Sequence, residues 1–328
     1  MARSRGPLIV KILIGGVLGL LALAAAVAFW AEHIYEKSGP LAEDGVILVA
    51  PGTGVIRTAY LLENMGAVED ARLFRWATRL TESSTRLQAG EFRIPAHASI
   101  RDILDILKHG QVVVHRLTLP EGATAVQAVA FIDQAERLSG ALAAVPAEGT
   151  LLPETYHYTW GETRDGMVAR MQKGMRDLLA ELWPGRAPDL PFSTPEDAVI
   201  LASIIEKETA VPEERRLIAG VFINRLKKNM RLQSDPTVIY GITGGKELGR
   251  ALVRSDLDQT TPYNTYRVNG LPPTPIANPG RASIEAALNP AATDALYFVA
   301  DGKGGHAFAD SYEEHLKNVK RWRDMQRQ

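Results

Sequence analysis

Cysteine is missing from this chain altogether. Its absence excludes thiol nucleophiles, disulfide staples, thiolate zinc sites and cysteine-ligated iron–sulfur clusters. It does not fix the compartment, because proteins on either side of a membrane can lack cysteine. An excess of charge of either sign is missing too: 37 Lys+Arg stand against 38 Asp+Glu over 328 residues. The basic surplus usual in polyanion binders is therefore absent, and no nucleic-acid partner is expected. The seven histidines show no H-E-x-x-H spacing, so no metal and no cofactor are predicted. No solenoid-type repeat is present, and Gly302-Lys303-Gly304-Gly305 is too short for a phosphate loop and reads as a hairpin turn.

Long hydrophobic runs are scarce, and one stands out. Ile12 to Trp30 is 19 residues without a charge, close to the roughly 20 that a membrane core needs as a helix. Arg3, Arg5 and Lys11 precede it, while Glu32 and Glu36 follow. That bias predicts an N-terminus in the cytoplasm and everything from about Ala31 onward outside it. The Ala-rich stretch 22–28 also offers small-x-small cleavage sites, but signal-peptide cores usually run about 7–15 residues. An uncleaved single-pass anchor in the inner (cytoplasmic) membrane is expected.

The outer body reads as α+β. Residues 1–37 form the cytoplasmic end and anchor, and 38–45 (SGPLAEDG) a polar linker. Residues 46–117 form a small mixed unit, with β-type runs at 46–49, 92–94 and 112–119 and helices at 55–65, 71–80 and 100–108, the last capped by Ser99. Residues 118–328 form a larger, mainly helical part with short strands. Helices are expected there at 125–138, 166–182, 195–209 and 211–230, with a hairpin near 296–308 and a charged C-terminal helix at 312–327.

Thr194-Pro195-Glu196-Asp197 opens a helix clearly, with a capping hydroxyl, proline at the first helical position and acids at the positive end of the dipole. At 3.6 residues per turn, Val199, Ala202 and Ser203 share a face with Glu206, whereas Glu208 lies about 200° around the axis. A carboxyl held against apolar neighbours has its neutral form favoured, as a general acid requires. Taken alone, Glu206 reads first as a helix-end acid paired with Lys207 or Arg215 or simply snorkelling. Beyond it come turn signals rich in hydrogen-bonding and aromatic side chains: Gln233-Ser234-Asp235-Pro236-Thr237, Tyr240-Gly241, Thr261–Tyr266 and Gly270–Pro273. Such loops suit sugar hydroxyls, acetamido groups and pyranose faces, although proline, asparagine and serine also simply build turns.

The strings LASIIEKET (201–209), RLQSDPTVIYG (231–241), TPYNTY (261–266), GLPPTPIANPG (270–280), YFVADGKGGHAF (297–308) and GTLLPETY (149–156) resemble the YceG-like family, the endolytic murein transglycosylases. The resemblance extends over essentially the whole chain. It implies a lyase that cuts peptidoglycan glycan strands between N-acetylmuramic acid and N-acetylglucosamine, leaving 1,6-anhydromuramyl ends. It implies Glu206 as the catalytic acid and a LysM-like character for 46–117. Gln233, Ser234, Asp235, Tyr263, Asn264, Thr265 and Tyr266 become candidates for sugar contact or for orienting Glu206. Peptidoglycan synthases are expected partners, and termination of nascent strands an expected role. Asp235 stays open between a turn-former and the second acid of a hydrolytic muramidase, and His306 between a substrate contact and a loop histidine. A non-catalytic, membrane-anchored wall-binding scaffold is the rival from another class. Two positions depart from the family pattern: Thr274, where glycine is commoner, and Asn229-Met230 in place of Gly-Met.

Overall fold

The computed structural model describes residues 6–81 and 87–327. The apolar run lies within α1 (Gly6–Glu36), the one helix among the described residues long and apolar enough to cross a membrane. Its leucines and valines from Leu13 onward are exposed, so α1 has no protein core of its own over that stretch, and it is compatible with a single-pass anchor.

The chain divides into two compact units, 1–115 and 116–328. In the first, β1 (Gly45–Val49) and β2 (Gly90–Ile94) pair antiparallel, Gly45 facing Ile94. Between them lie α2 (Val55–Asn64) and α3 (Ala71–Leu80), and α4 (Ile100–His109) follows. The alternation of β1 sends Ile47 and Val49 inward, where they meet Leu62, Phe74, Phe92, Ile103 and Leu104 in one core. Ser99 caps α4 in a reciprocal box with Asp102, the arrangement that its spacing predicts.

The second unit holds the two-stranded sheet of β3 (Val114–Thr118) and β4 (Thr155–Thr159), with α5 (Ala125–Gln134) and α6 (Arg164–Leu182) around a core of Leu119, Ile132, Leu151, Met167 and Met171. A second core is built on α7 (Pro195–Glu208), which is buried without interruption from Ala198 to Ile205. Around it lie α8 (Arg215–Lys227), α9 (Asp235–Thr243) and α11 (Arg281–Leu288), with the short α10 (Arg254–Asp258) in the preceding loop. The expected hairpin is present as antiparallel β5 (Tyr297–Ala300) and β6 (His306–Ala309), and α12 (Tyr312–Met325) packs beside it.

Three local expectations change. The Ser234–Tyr240 stretch is the start of a helix, not a series of turns. Asp235 and Pro236 occupy its first turn, positions that favour an acid and a proline. The 281–288 segment, without a distinctive start signal, is also helical. The helix expected from Val211 begins only at Arg215, after a 3-10 turn over Pro212–Glu214.

Candidate active site

The loop at 270–280 runs alongside α7 and is tied to it twice. Ser203 donates to Ile200 O at 2.7 Å and accepts Ile276 N–H at 3.0 Å. One turn on, the Glu206 carboxylate accepts Gly280 N–H at 2.8 Å. Asn278, fully buried, joins the same loop to two others. Its side chain donates to Ala123 O and accepts Leu151 N–H, and its backbone carbonyl accepts Gly122 N–H. The GTLLPETY signature starts with glycine for a visible reason. Gly149 has φ +75, and a Cβ there would come within 2.5 Å of the Pro275 ring.

Glu206 is enclosed, its side chain 6% exposed. The Arg215 guanidinium lies 3.7 Å from it and 3.9 Å from Glu121. Burial, followed by the charge of Glu206, pushes the Glu121 carboxyl above the usual carboxylate range. Arg215 Nε is buried with no hydrogen-bond partner. The contacts at Glu206 thus use its carboxylate as an acceptor from a backbone amide, next to a cation and a second acid.

Glu208 leaves α7 on the other side, where it is partly buried. Ser234 Oγ donates to its Oε1 at 2.5 Å. Burial raises its proton affinity most; the Ser234 hydrogen bond opposes that, the nearby Asp235 charge adds to it, and His306 opposes it. Of the seven candidate sugar-contact residues, Ser234 and Asp235 lie at Glu208, and the others join them or form a second group. Tyr266 donates to Asp235 Oδ1 at 2.7 Å and Gln233 N–H to Thr265 O at 3.1 Å. Ser234 N–H donates to Thr265 Oγ1, which also bonds Thr237. Tyr263 packs against Tyr240 in a tilted arrangement with ring centres 5.0 Å apart, and its hydroxyl meets Thr274 at 2.8 Å. Threonine where the family favours glycine thus forms a hydrogen bond to that ring.

Ser234, Asn264 and Thr265 are almost wholly buried. Asn264 donates to Leu257 O and Gln259 O and accepts Tyr266 N–H. These three support the loop from beneath, while Gln233 and Asp235 present themselves at its surface. Gln233 has φ +54, a conformation that costs a non-glycine residue free energy and is retained where surrounding contacts fix it. The contact that fixes it comes from Arg225, whose guanidinium is buried and donates to Arg231 O, Leu232 O, Gln233 Oε1 and Leu296 O. Asn229, standing for glycine, has φ +53, and asparagine tolerates that region better than most residues.

His306 is held by Glu214, which bonds its ring Nδ1 at 2.6 Å and its backbone N–H at 2.8 Å. Glu148 accepts Ala125 N–H, Tyr240 OH and Asn278 Nδ2, and burial raises its proton affinity. Arg225, Asn278 and Glu148 carry no sequence signal of their own, because each serves loops distant in the chain. Among the described residues no cluster of His, Asp and Glu has the geometry of a metal site.

The surroundings of Glu208 resemble those of a general acid, and the chain has relatives with names to compare. An endolytic murein transglycosylase of Bacillus subtilis (strain 168) is 40% identical over 172 residues, covering 52% of this chain and 47% of that protein. An endolytic murein transglycosylase of Streptococcus pneumoniae serotype 2 is 29% identical over 94% of this chain and 65% of its own length. The chain therefore spans between about half and two thirds of the curated relatives it matches. A 2.6 Å crystal structure of a YceG-like protein from Listeria monocytogenes superimposes with a TM-score of 0.51 at 28% identity, over 84% of this chain and 98% of that one. The pattern of the YceG-like family itself matches residues 47–321. Spanning most of both units, that match places this chain in the YceG-like family.

Proposed function

We propose that the chain is an endolytic murein transglycosylase: a lyase that cuts glycan strands between N-acetylmuramic acid and N-acetylglucosamine and leaves 1,6-anhydromuramyl ends. The observation that carries the proposal is the end of α7, where Glu206 is enclosed and Glu208, partly buried and with raised proton affinity, is set among Ser234, Asp235 and Tyr266, in a chain whose relatives bear that activity in their names.

One carboxyl suffices for such a reaction. The protonated acid gives its proton to the glycosidic oxygen as the C1–O bond breaks. The muramyl 6-hydroxyl then attacks C1 of its own sugar and returns its proton to the carboxylate, so no water is consumed. The neighbouring acetamido group can stabilise the positive charge developing at C1. Ordinary glycosidases, in contrast, need a second carboxylate as base or nucleophile.

The motif resemblance implies Glu206 as the acid, and the surroundings support Glu208. Glu206 is engaged as an acceptor by Gly280 and lies beside Arg215, while burial raises the proton affinity of Glu208 and Ser234 donates to it. Single Glu206→Gln and Glu208→Gln variants separate the two assignments. The catalytic acid loses roughly 10²–10⁴-fold in rate, and the other variant keeps most of it. The readout is mass spectrometry of digested peptidoglycan. Asp235 lies close enough to Glu208 to perturb it, which favours muramidase chemistry as the second reading. Reducing muramyl ends in place of anhydro ends decide for it, and release of no fragment leaves the wall-binding scaffold.

The 46–117 region is proposed as a LysM-like module that holds glycan. Support comes from the exposed apolar side chains Val46, Leu48, Ile56 and Tyr60 around its β1–α2 end. Placement in the cytoplasmic membrane with the second unit outside, association with peptidoglycan synthases and termination of nascent strands belong to the same reading.

A further inference from the structure

α3 has two faces of different kinds. Ala71, Phe74, Ala77 and Thr78 are buried in the first unit's core. The opposite stripe, at the i, i+3, i+4, i+7, i+8 spacing of one helix face, reads Arg72, Arg75, Trp76, Arg79, Leu80. It contains three arginines, no acid and two large apolar side chains, Trp76 38% and Leu80 61% exposed. Arg72 closes on Asp70, whereas Arg75 and Arg79 have no ion-pair partner among the described residues.

The position of this stripe along α1 is fixed. From Leu13 to Trp30 the helix rises ~26 Å, close to the ~30 Å of a hydrocarbon core, so Trp30 stands at the level where a bilayer gives way to headgroups. Trp76 meets Trp30 with ring centres 6.3 Å apart. Beside this pair a slot of about 140 Å³, lined chiefly by Ala31, Ile34, Tyr35, Leu73, Trp76 and Leu80, opens between α1 and α3. The union is firm, since Glu36 accepts from Arg101 at 2.7 Å and Lys37 donates to Glu69 at 2.8 Å. Those pairs and Asp70–Arg72 engage Glu36, Glu69 and Asp70, while Glu32 lines the slot and Asp105 and Asp102 lie close enough to act on Tyr35.

We propose that α3 is a membrane-surface element: its outer stripe lies on a bilayer rich in anionic phospholipid, with Trp76 and Leu80 at the acyl boundary and Arg75 and Arg79 on the headgroup phosphates. The proposal rests on α1 spanning a bilayer. It goes beyond an anchor, because it fixes the orientation of the whole first unit relative to the membrane. Long cationic side chains beside an aromatic and an aliphatic one suit this depth, where the charged heads stay wet and the stems and rings cover acyl chain. Each arginine near such a surface is worth on the order of a fivefold shift of population toward the bound orientation.

The chain has no cysteine, so single labelling sites can be introduced directly. Nitroxide labels at Leu80→Cys, at Leu20→Cys within the anchor and at Val46→Cys on the same unit are compared in the full chain, reconstituted in phosphatidylcholine nanodiscs with and without phosphatidylglycerol. The proposal expects the label at 80 to be reached by oxygen and shielded from a water-soluble nickel chelate, as at 20 and unlike 46, most strongly with phosphatidylglycerol present. Adding Arg75→Glu and Arg79→Glu is expected to return it to water, with circular dichroism confirming that the variant is folded. A label at 80 as nickel-accessible as that at 46, or one indifferent to charge reversal, overturns the proposal while leaving the anchor standing. A nickel-accessible label at 20 overturns both. Dipolar broadening between labels at 80 assigns the stripe to a second copy of the chain and likewise overturns it.

Discussion

Glu206 and Glu208 stand two residues apart and leave α7 about 200° apart, so each enters a different environment. For Glu208 the consequence is a dependence on pH. Its proton affinity is higher in the folded chain than in the unfolded one. The stability it contributes is therefore fully present below the ordinary carboxyl pKa and is lost as pH rises through the raised folded value. Glu208→Gln cannot ionise and should lose none of it. Its melting temperature is expected to gain on the parent as pH rises from about 4 to 8. If Glu208 is the acid, turnover by the parent also declines over the same rise. Calorimetry across that range together with a rate profile checks both. Arg225 gives a second residue-scale expectation. Its replacement by Met leaves the carbonyls of Arg231, Leu232 and Leu296 without their donor and releases Gln233 from its left-handed conformation. About 1–3 kcal/mol of stability should be lost for each carbonyl left unpaired, read by denaturant unfolding. Neither environment is visible in the local sequence: the helical wheel separates the two acids but does not say that Ser234 covers one while Gly280 and Arg215 meet the other.

At the scale of elements, the site is α7 with the loops laid along it. Their registration depends on close approaches that a methyl group disturbs. Gly149→Ala combines an unfavourable φ with a clash against the Pro275 ring, and a loss of about 1–3 kcal/mol is expected, again from denaturant unfolding. Asn278→Ala removes the acceptor of Leu151 N–H, while Ala123 O keeps the backbone N–H of residue 278, and a similar loss is expected for the one group left unpaired. α7 itself was legible because Thr194, Pro195 and the two acids are local start signals, and its capping bond is present, Thr194 Oγ1 accepting Asp197 N–H at 3.1 Å. The start of α9 was misread because proline, serine and aspartate signal turns and helix N-termini alike. What separates the two is burial of Thr237 and Val238, and burial is tertiary.

For the whole molecule, each unit has a core of its own. Leu104→Ala, deep in the first, should cost about 2–5 kcal/mol. Scanning calorimetry of the reconstituted chain is expected to show that loss in one transition, with the transition of the 116–328 unit unmoved. A downward shift of both by the same amount overturns the independence of the cores. The long apolar helix, the caps, the hairpin and the family likeness follow from sequence alone, because each rests on contiguous residues whose periodicity, capping chemistry or length is local. Tertiary structure decided what no short window contains. It brought Ser234 and Asp235 to Glu208, drew Gly280 and Arg215 to Glu206, placed Arg225 and Asn278 beneath the loops, and set Trp76 against Trp30. Proton affinity and accessibility are properties of an enclosure, and the enclosure is assembled from residues tens to more than a hundred positions apart.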